Sequence, residues 1–208
     1  ELGVTVIEGY GLTETSPVIA VNTMKDGSVP GSVGPVLPNV ELEIVDDSGK
    51  PLKQGEVGEI RVRGITVMKG YWNKPGETKE TIDSEGWLRT GDLGHLDEKG
   101  RLFISAGRKK DLIIRAGENV SPLAIENALM SHPAIAEVAA VGIPDERIGE
   151  KVKVCVVLRQ GADASEQELK DFCRKKLSAF MTPDMFQFME SLPKTATGKI
   201  LKSELRNL

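Results

Sequence analysis

The 208 residues carry 39% hydrophobic and 28% charged side chains with a formal net charge of -4, a balance ordinary for one or two globular domains that excludes nucleic acid or an anionic membrane held by bulk charge. No apolar run approaches the ~18 residues a membrane helix needs, and no signal-peptide pattern opens the chain, so no transmembrane segment is expected. The two cysteines, Cys155 and Cys173, lie in a strand-like and a helix-like run and read as buried thiols in a reducing, cytoplasmic setting.

The first residues, ELGVTVIEGYG, are strand-like at once, without an initiator methionine or a leading cap, and read as part of something longer. Up to about residue 105 the pattern is strand and turn. NVELEIVDDSGKPL alternates Val40, Leu42 and Ile44 before a turn at Asp47-Ser48-Gly49. GEIRVRG puts Ile60 and Val62 on one face, and GHLDEKGRLFI predicts a hairpin turning at Asp97–Gly100. Short strands at this spacing suggest a small barrel or sandwich.

Near SAGRKKD the period changes. Ser121 is placed to cap a helix with Pro122 at its first position and Ile125, Ala128 and Leu129 as its apolar stripe; His132-Pro133 stops it. AEVAAVG and KVKVCVVL read as strands. Ser165 and Glu168 form a capping-box signature ahead of Leu169, Phe172, Cys173, Leu177 and Phe180 at helical spacing. DMFQFME is a further strand candidate, and Ile200 to Arg206 is helix-friendly. The fold class is α+β: a β-rich unit, then an α+β unit of about 100 residues.

Five clusters carry residues suited to chemistry. In EGYGLTET, glycines flank Tyr10, whose ring can stack on a purine; Thr13 can donate to a phosphate and Glu14 offers hard oxygens to Mg2+, the plain alternative being a strand end with a surface glutamate. In GWLRTGDLG, Asp92 offers two acceptor oxygens to a ribose diol, or forms an ordinary Gly-Asp turn. In GRKKDLIIRAGENVSP, Arg108 can hold ribose or phosphate, or belong to a solvated linker, and RAGENVSP is read as a short loop into the capped helix. PKTATGKI places Lys199 behind Thr197 and Gly198, as an ammonium for a phosphate or as a solvated tail. GEIRVRGITVMKGYW, residues 58–72, completes the set without an assigned role. A Walker-type loop and a Gly-x-Ser-x-Gly elbow are absent from the sequence, and with only His95 and His132 a histidine-rich metal site is excluded.

In this order and spacing the clusters resemble the adenylate-forming superfamily of acyl-CoA synthetases, luciferases and peptide-synthetase adenylation domains, over nearly the whole chain. The sequence looks like the C-terminal part of an acyl-CoA synthetase for fatty acids. The resemblance implies that residues 1–107 are the end of a large N-terminal domain with much of its distorted β-barrel. Residues 108–208 would be a small mobile C-terminal domain. It implies ATP/AMP, Mg2+ and coenzyme A as cofactor and substrates, a small-molecule carboxylic acid as the acyl donor, and no nucleic acid. Carried over by position, Lys199 bridges substrate carboxylate and α-phosphate. Tyr10 and Gly11 lie at the adenine, Thr13 touches phosphate and Glu14 holds Mg2+. Asp92 grips the ribose hydroxyls with Arg108 behind it. Lys110 is the hinge, and the loop at Gly117 lines the pantetheine tunnel. The family's phosphate-wrapping Ser/Thr/Gly loop and most of its acyl pocket lie upstream of these motifs, so the missing N-terminal part of the polypeptide is an implied partner and the chain alone is expected to be inactive. The rival readings are a non-catalytic nucleotide-binding module and an adenylation domain serving a carrier protein.

Overall fold

The computed structural model describes residues 4–25 and 27–208. The chain divides into two compact units, Glu1–Lys109 and Lys110–Leu208.

The first unit is built on one five-stranded antiparallel sheet. Its strands are β3 (Ser32–Pro35), β4 (Val40–Val45), β5 (Gly58–Gly64), β6 (Leu88–Leu96) and β7 (Arg101–Arg108), in spatial order β3-β7-β6-β5-β4. A separate antiparallel pair, β1 (Gly9–Gly11) and β2 (Val18–Val21), packs Ile19 and Ala20 onto the core formed by Val40, Ile44, Ile60, Val62, Leu88 and Leu102. Period-2 alternation puts Ile60 and Val62 inside and Arg61 and Arg63 outside. Those two guanidiniums each lie 4.6 Å from the ring centre of Trp87, which is buried beneath them. Their cross-strand partners are Glu43 and Glu41. The polar face of the sheet is thus a packed layer as well.

Two expectations change here. Residues 4–7 form no strand: Val4, Val6 and Ile7 are exposed, and among the described residues no strand pairs with them, so the ladder is confined to Gly9–Gly11. A strand is held by its neighbour's hydrogen bonds, which an apolar run alone does not supply. The second change is a short helix, α1 (Pro75–Thr81), in a region read as strand and turn. Its signals are Pro75 at the first position and Glu77 in the first turn; with no buried residue it carries no apolar stripe to betray it.

In the second unit β8 (Ile113–Arg115) and β9 (Glu118–Val120) form a hairpin, followed by α2 (Pro122–Met130), β10 (Ile135–Asp145), β11 (Gly149–Leu158), α3 (Glu166–Lys176), β12 (Met185–Phe188) and α4 (Lys202–Leu205). The expected loop RAGENVSP is instead this tight hairpin. Ala116 (φ 50°) and Gly117 (φ 84°) both take the positive φ that a two-residue turn matched to strand twist requires. Both predicted caps form: Ser121 Oγ accepts from Ala124 N, and Ser165 Oγ accepts from Glu168 N, each at 3.2 Å.

The β10–β11 pair is buried on both faces. On one, Val138, Ala140, Val152, Val154 and Val156 pack under α2 and α3. On the other, Ala139, Val141 and Cys155 are covered by Leu192 and Leu205, with Ile200 against them. The C-terminal segment is therefore docked through Leu192, Ile200 and Leu205, while Lys199 between them stays exposed. Cys155 and Cys173 are free and buried, in separate clusters. Burial pushes the Cys173 thiol up to about 11, so at neutral pH it stays protonated and unreactive.

Candidate functional site

Three of the sequence clusters meet at one carboxylate. Asp92 and Arg108 are register partners on β6 and β7, next to a break in register between Leu93 and Gly94. Such a bulge re-aims the side chains beside it. Gly94 is required for the close approach: a Cβ there would lie 2.5 Å from the Phe103 carbonyl. The Tyr10 hydroxyl, from β1, donates to Asp92 Oδ2 at 2.6 Å, and Arg108 Nε lies 3.3 Å from Oδ1. The Asp92 amide donates to Thr90 Oγ1, which in turn donates to the Ile60 carbonyl. Burial, reinforced by the Asp92 charge, raises the Tyr10 phenol well above its ordinary range, so it remains a donor at any physiological pH. A carboxylate offers about four lone-pair positions. Tyr10 and Arg108 engage one on each oxygen, which leaves acceptor capacity for two adjacent hydroxyls.

Thr13 and Glu14 sit on a single 3-10 turn, Thr13–Thr15. Thr15 is buried and pins the turn, accepting from Leu12 N and donating to Leu12 O, so Thr13 is left exposed. Glu14 Oε1 accepts from the Tyr71 hydroxyl at 2.9 Å. Burial and this carboxylate raise the Tyr71 phenol. Glu14, Glu59, Tyr71, Arg89, Thr90 and Arg108 line a common cavity of about 300 Å³. The glycine at position 11 answers a need of the fold: a Cβ there would stand 1.6 Å from the Pro17 carbonyl oxygen.

Beyond Arg108 the chain turns through Lys109–Asp111. Lys109 pairs with Asp47 at 2.7 Å and with the buried Glu59 at 3.5 Å, and these contacts raise its ammonium. Lys110 is the first residue of the second unit. Gly117 occupies the hairpin turn, with open space where a Cβ would stand.

Lys199 is exposed on a closed turn. Thr195 and Lys199 exchange hydrogen bonds: Thr195 N donates to Lys199 O at 2.8 Å, and Lys199 N donates to Thr195 Oγ1 at 3.1 Å. Gly198 takes φ 83°, and Lys194 and Ile200 bridge antiparallel. The turn is fixed on both sides, by Lys194–Glu137 at 2.7 Å and Lys202–Glu126 at 2.8 Å. Behind it, the buried Lys153 donates from Nζ to the Leu205 carbonyl at 3.0 Å, at the C-terminal end of α4 where a cation is favoured. Among the described residues no ion pair engages the Lys199 ammonium.

Tyr10, Asp92 and Arg108 are thus brought together, and Glu14 shares a cavity with Arg108. Lys110, Gly117 and Lys199 lie in the second unit. Sequence reasoning missed Tyr71, Thr90, Glu59 and Lys153. Tyr71 stood inside a noted cluster, Thr90 two residues before Asp92, and a lysine inside KVKVCVVL was itself a signal that one strand position needed a buried partner.

The first unit thus carries a polar, cation-flanked cavity beside its antiparallel sheet, and the α+β second unit carries a lysine that has no ion-pair partner among the described residues. Comparison with known proteins gives the chain a family. The family description "AMP-binding enzyme" matches residues 1–72, and "AMP-binding enzyme C-terminal domain" matches residues 124–199. The long-chain-fatty-acid–CoA ligase of Bacillus subtilis (strain 168) is 46% identical over 204 residues, 98% of this chain. The mitochondrial medium-chain acyl-CoA ligase ACSF2 of Rattus norvegicus is 42% identical over 200 residues, 95% of this chain. The crystal structure of ATP-bound MatB from Rhodopseudomonas palustris superposes with a TM-score of 0.92 at 39% identity, over 99% of this chain and 41% of that one. The chain belongs to the AMP-binding, adenylate-forming enzymes. It spans 36% of the length of the Bacillus ligase and 32% of the rat ligase.

Proposed function

We propose that this chain is the C-terminal part of an ATP-dependent acyl-CoA synthetase acting on fatty acids. The observation that carries the reading is the convergence of Tyr10 and Arg108 on the buried Asp92 carboxylate, which keeps open acceptor capacity. The high identity to fatty-acid and medium-chain ligases supports the substrate class. The expected boundary at 107/108 moves by two residues, because Arg108 closes β7: Glu1–Lys109 is then the end of the large N-terminal domain and Lys110–Leu208 the small C-terminal domain, with Lys110 as the hinge.

The reaction has two steps. A carboxylate oxygen attacks the α-phosphorus of ATP, the bond to the β,γ-phosphates breaks, and pyrophosphate leaves with the electron pair. The coenzyme A thiol then loses its proton and attacks the acyl carbon; the C–O bond breaks and AMP departs. In the first step an anion approaches a polyanion. Two unit charges about 4 Å apart repel by roughly 4 kcal/mol at an effective dielectric near 20. Lys199 offsets this by lying between carboxylate and α-phosphate. Asp92 accepts from the ribose hydroxyls, held in place by Tyr10 and Arg108. Tyr10 and Gly11 border the adenine, and Thr13 donates to phosphate. In the second step the turn at Gly117, which has room for a ligand on its open side, lines the pantetheine path.

The donors present fit Mg2+. Among the described residues no group of three or more His, Cys, Asp or Glu is placed to cage a metal. Mg2+ is typically held by one or two carboxylates together with substrate phosphates, and Glu14 lines the cavity with one oxygen that no donor engages among the described residues. Mg2+ held there by Glu14 would supply positive charge to offset that of the phosphates.

The test uses the full-length protein that carries this chain. Incubated with ATP, Mg2+ and a fatty acid without coenzyme A, it is expected to accumulate fatty acyl-adenylate detectable by mass spectrometry. Added coenzyme A then converts the adenylate to thioester. Absence of adenylate with every chain length offered overturns the proposal.

A further inference from the structure

The cluster GEIRVRGITVMKGYW, residues 58–72, has no part in the mechanism above, yet its end reaches the site. We infer that Tyr71 is a positioning residue that sets the carboxylate of Glu14 for its cation. The inference rests on the proposed role of Glu14.

The loop after β5 grips Glu14 twice. Met68 N donates to the Glu14 carbonyl at 2.8 Å, and the Tyr71 hydroxyl donates to Glu14 Oε1 at 2.9 Å. Main chain and side chain are thus held by one segment, 57 residues away in sequence from Glu14. The segment is itself anchored. Tyr71 N donates to Thr78 Oγ1 at 2.9 Å, and Thr78 Oγ1 donates to the Lys74 carbonyl at 2.9 Å, on α1. Gly70 makes this closure possible: its φ is 146°, and a Cβ there would lie 2.7 Å from Thr78 Cγ2. α1 buries no residue of its own, so its visible work is to hold this loop.

The chemical consequence concerns one oxygen. With Oε1 engaged by Tyr71, rotation of the carboxylate is restrained, and among the described residues no donor engages Oε2. That oxygen is left for the cation. A ligand whose orientation is set beforehand loses less freedom on binding, and removal of such outer partners typically weakens a metal site by 10–100-fold.

Tyr71→Phe removes the hydroxyl and keeps the ring. In the full-length protein with a non-hydrolysable ATP analogue bound, Mn2+ affinity is read by electron paramagnetic resonance of the free ion. Tyr71→Phe is expected to weaken Mn2+ by about tenfold, the low end of that range. Thr78→Val, one step further back, weakens it by a smaller factor. In turnover, the Mg2+ concentration for half-maximal rate rises in Tyr71→Phe, and the rate deficit shrinks as Mg2+ is raised. Glu14→Gln separates the two levels. If Glu14→Gln loses Mn2+ and Tyr71→Phe does not, the positioning role is wrong and the role of Glu14 stands. If neither variant loses Mn2+, both fall. A rate deficit in Tyr71→Phe that no Mg2+ concentration relieves, with Mn2+ affinity intact, also overturns the inference.

Discussion

Deleting either end of the Tyr10–Asp92 hydrogen bond gives a prediction that needs no substrate. The bond is short, 2.6 Å, its acceptor is charged, and Asp92 is 8% exposed. Hydrogen bonds to charged groups contribute about 1.5–3 kcal/mol, and stranding a buried polar atom costs about 1–3 kcal/mol. Tyr10→Phe leaves Asp92 with Arg108 and is expected to cost about 1.5–2 kcal/mol. Asp92→Ala leaves a buried hydroxyl without its acceptor and frees Arg108, whose half-exposed guanidinium water readily solvates; about 2–3 kcal/mol is expected. Because both substitutions remove one bond, the double variant is expected to fall short of their sum by about 1.5 kcal/mol or more. Urea unfolding followed by tryptophan fluorescence reads the right unit, since both tryptophans, Trp72 and Trp87, lie in Glu1–Lys109. Only Trp87 is buried, so the signal change comes from the sheet that carries Asp92. A coupling energy below about 0.5 kcal/mol would refute the reasoning that this carboxylate is organised by Tyr10.

Other perturbations act on single features. Gly11→Ala drives a methyl into the Pro17 carbonyl and is expected to lower stability by about 3 kcal/mol or more, seen as a lower urea midpoint. The Cys173 thiol is raised from 9.0 to about 11, so its contribution is fully present below pH 9 and fades as pH climbs from 9 toward 11. A loss of about 2 kcal/mol across that window, flattened in Cys173→Ala, is the expected urea result. Tyr10 shifts in the same direction and adds to the alkaline loss above pH 10. Lys153→Met leaves the Leu205 carbonyl without its buried donor and is expected to speed amide hydrogen exchange selectively across 192–206, with β10 and β11 unaffected.

What the sequence made legible was local. The alternation of Val40, Leu42 and Ile44, the hairpin at Asp97–Gly100 and the Ser121 and Ser165 caps all appear in the fold, because each rests on side chains within a few residues of one another. The candidate residues Tyr10, Asp92, Arg108 and Glu14 were found by motif, but their geometry was not. Tyr10 and Asp92 are 82 residues apart, and nothing local announces that a phenol will donate to that carboxylate. α1 escaped notice because it lacks an apolar stripe. The strand-like Val4–Ile7 misled because β propensity registers side chains suited to a sheet, whereas a strand also needs an adjoining edge. The 116–117 hairpin hid behind Ala116, a residue that seldom takes positive φ.

The assignment of Lys199 is what most needs a direct trial, and the two half-reactions of the full-length protein provide it. Lys199→Ala is expected to cut ATP–pyrophosphate exchange by about 10²–10³, the scale of losing one preorganised charge-stabilising donor. Thioester formation from pre-made acyl-adenylate and coenzyme A is expected to proceed largely as before. Equal loss in both half-reactions, or exchange that survives the substitution, would contradict a lysine that works by standing between two anions.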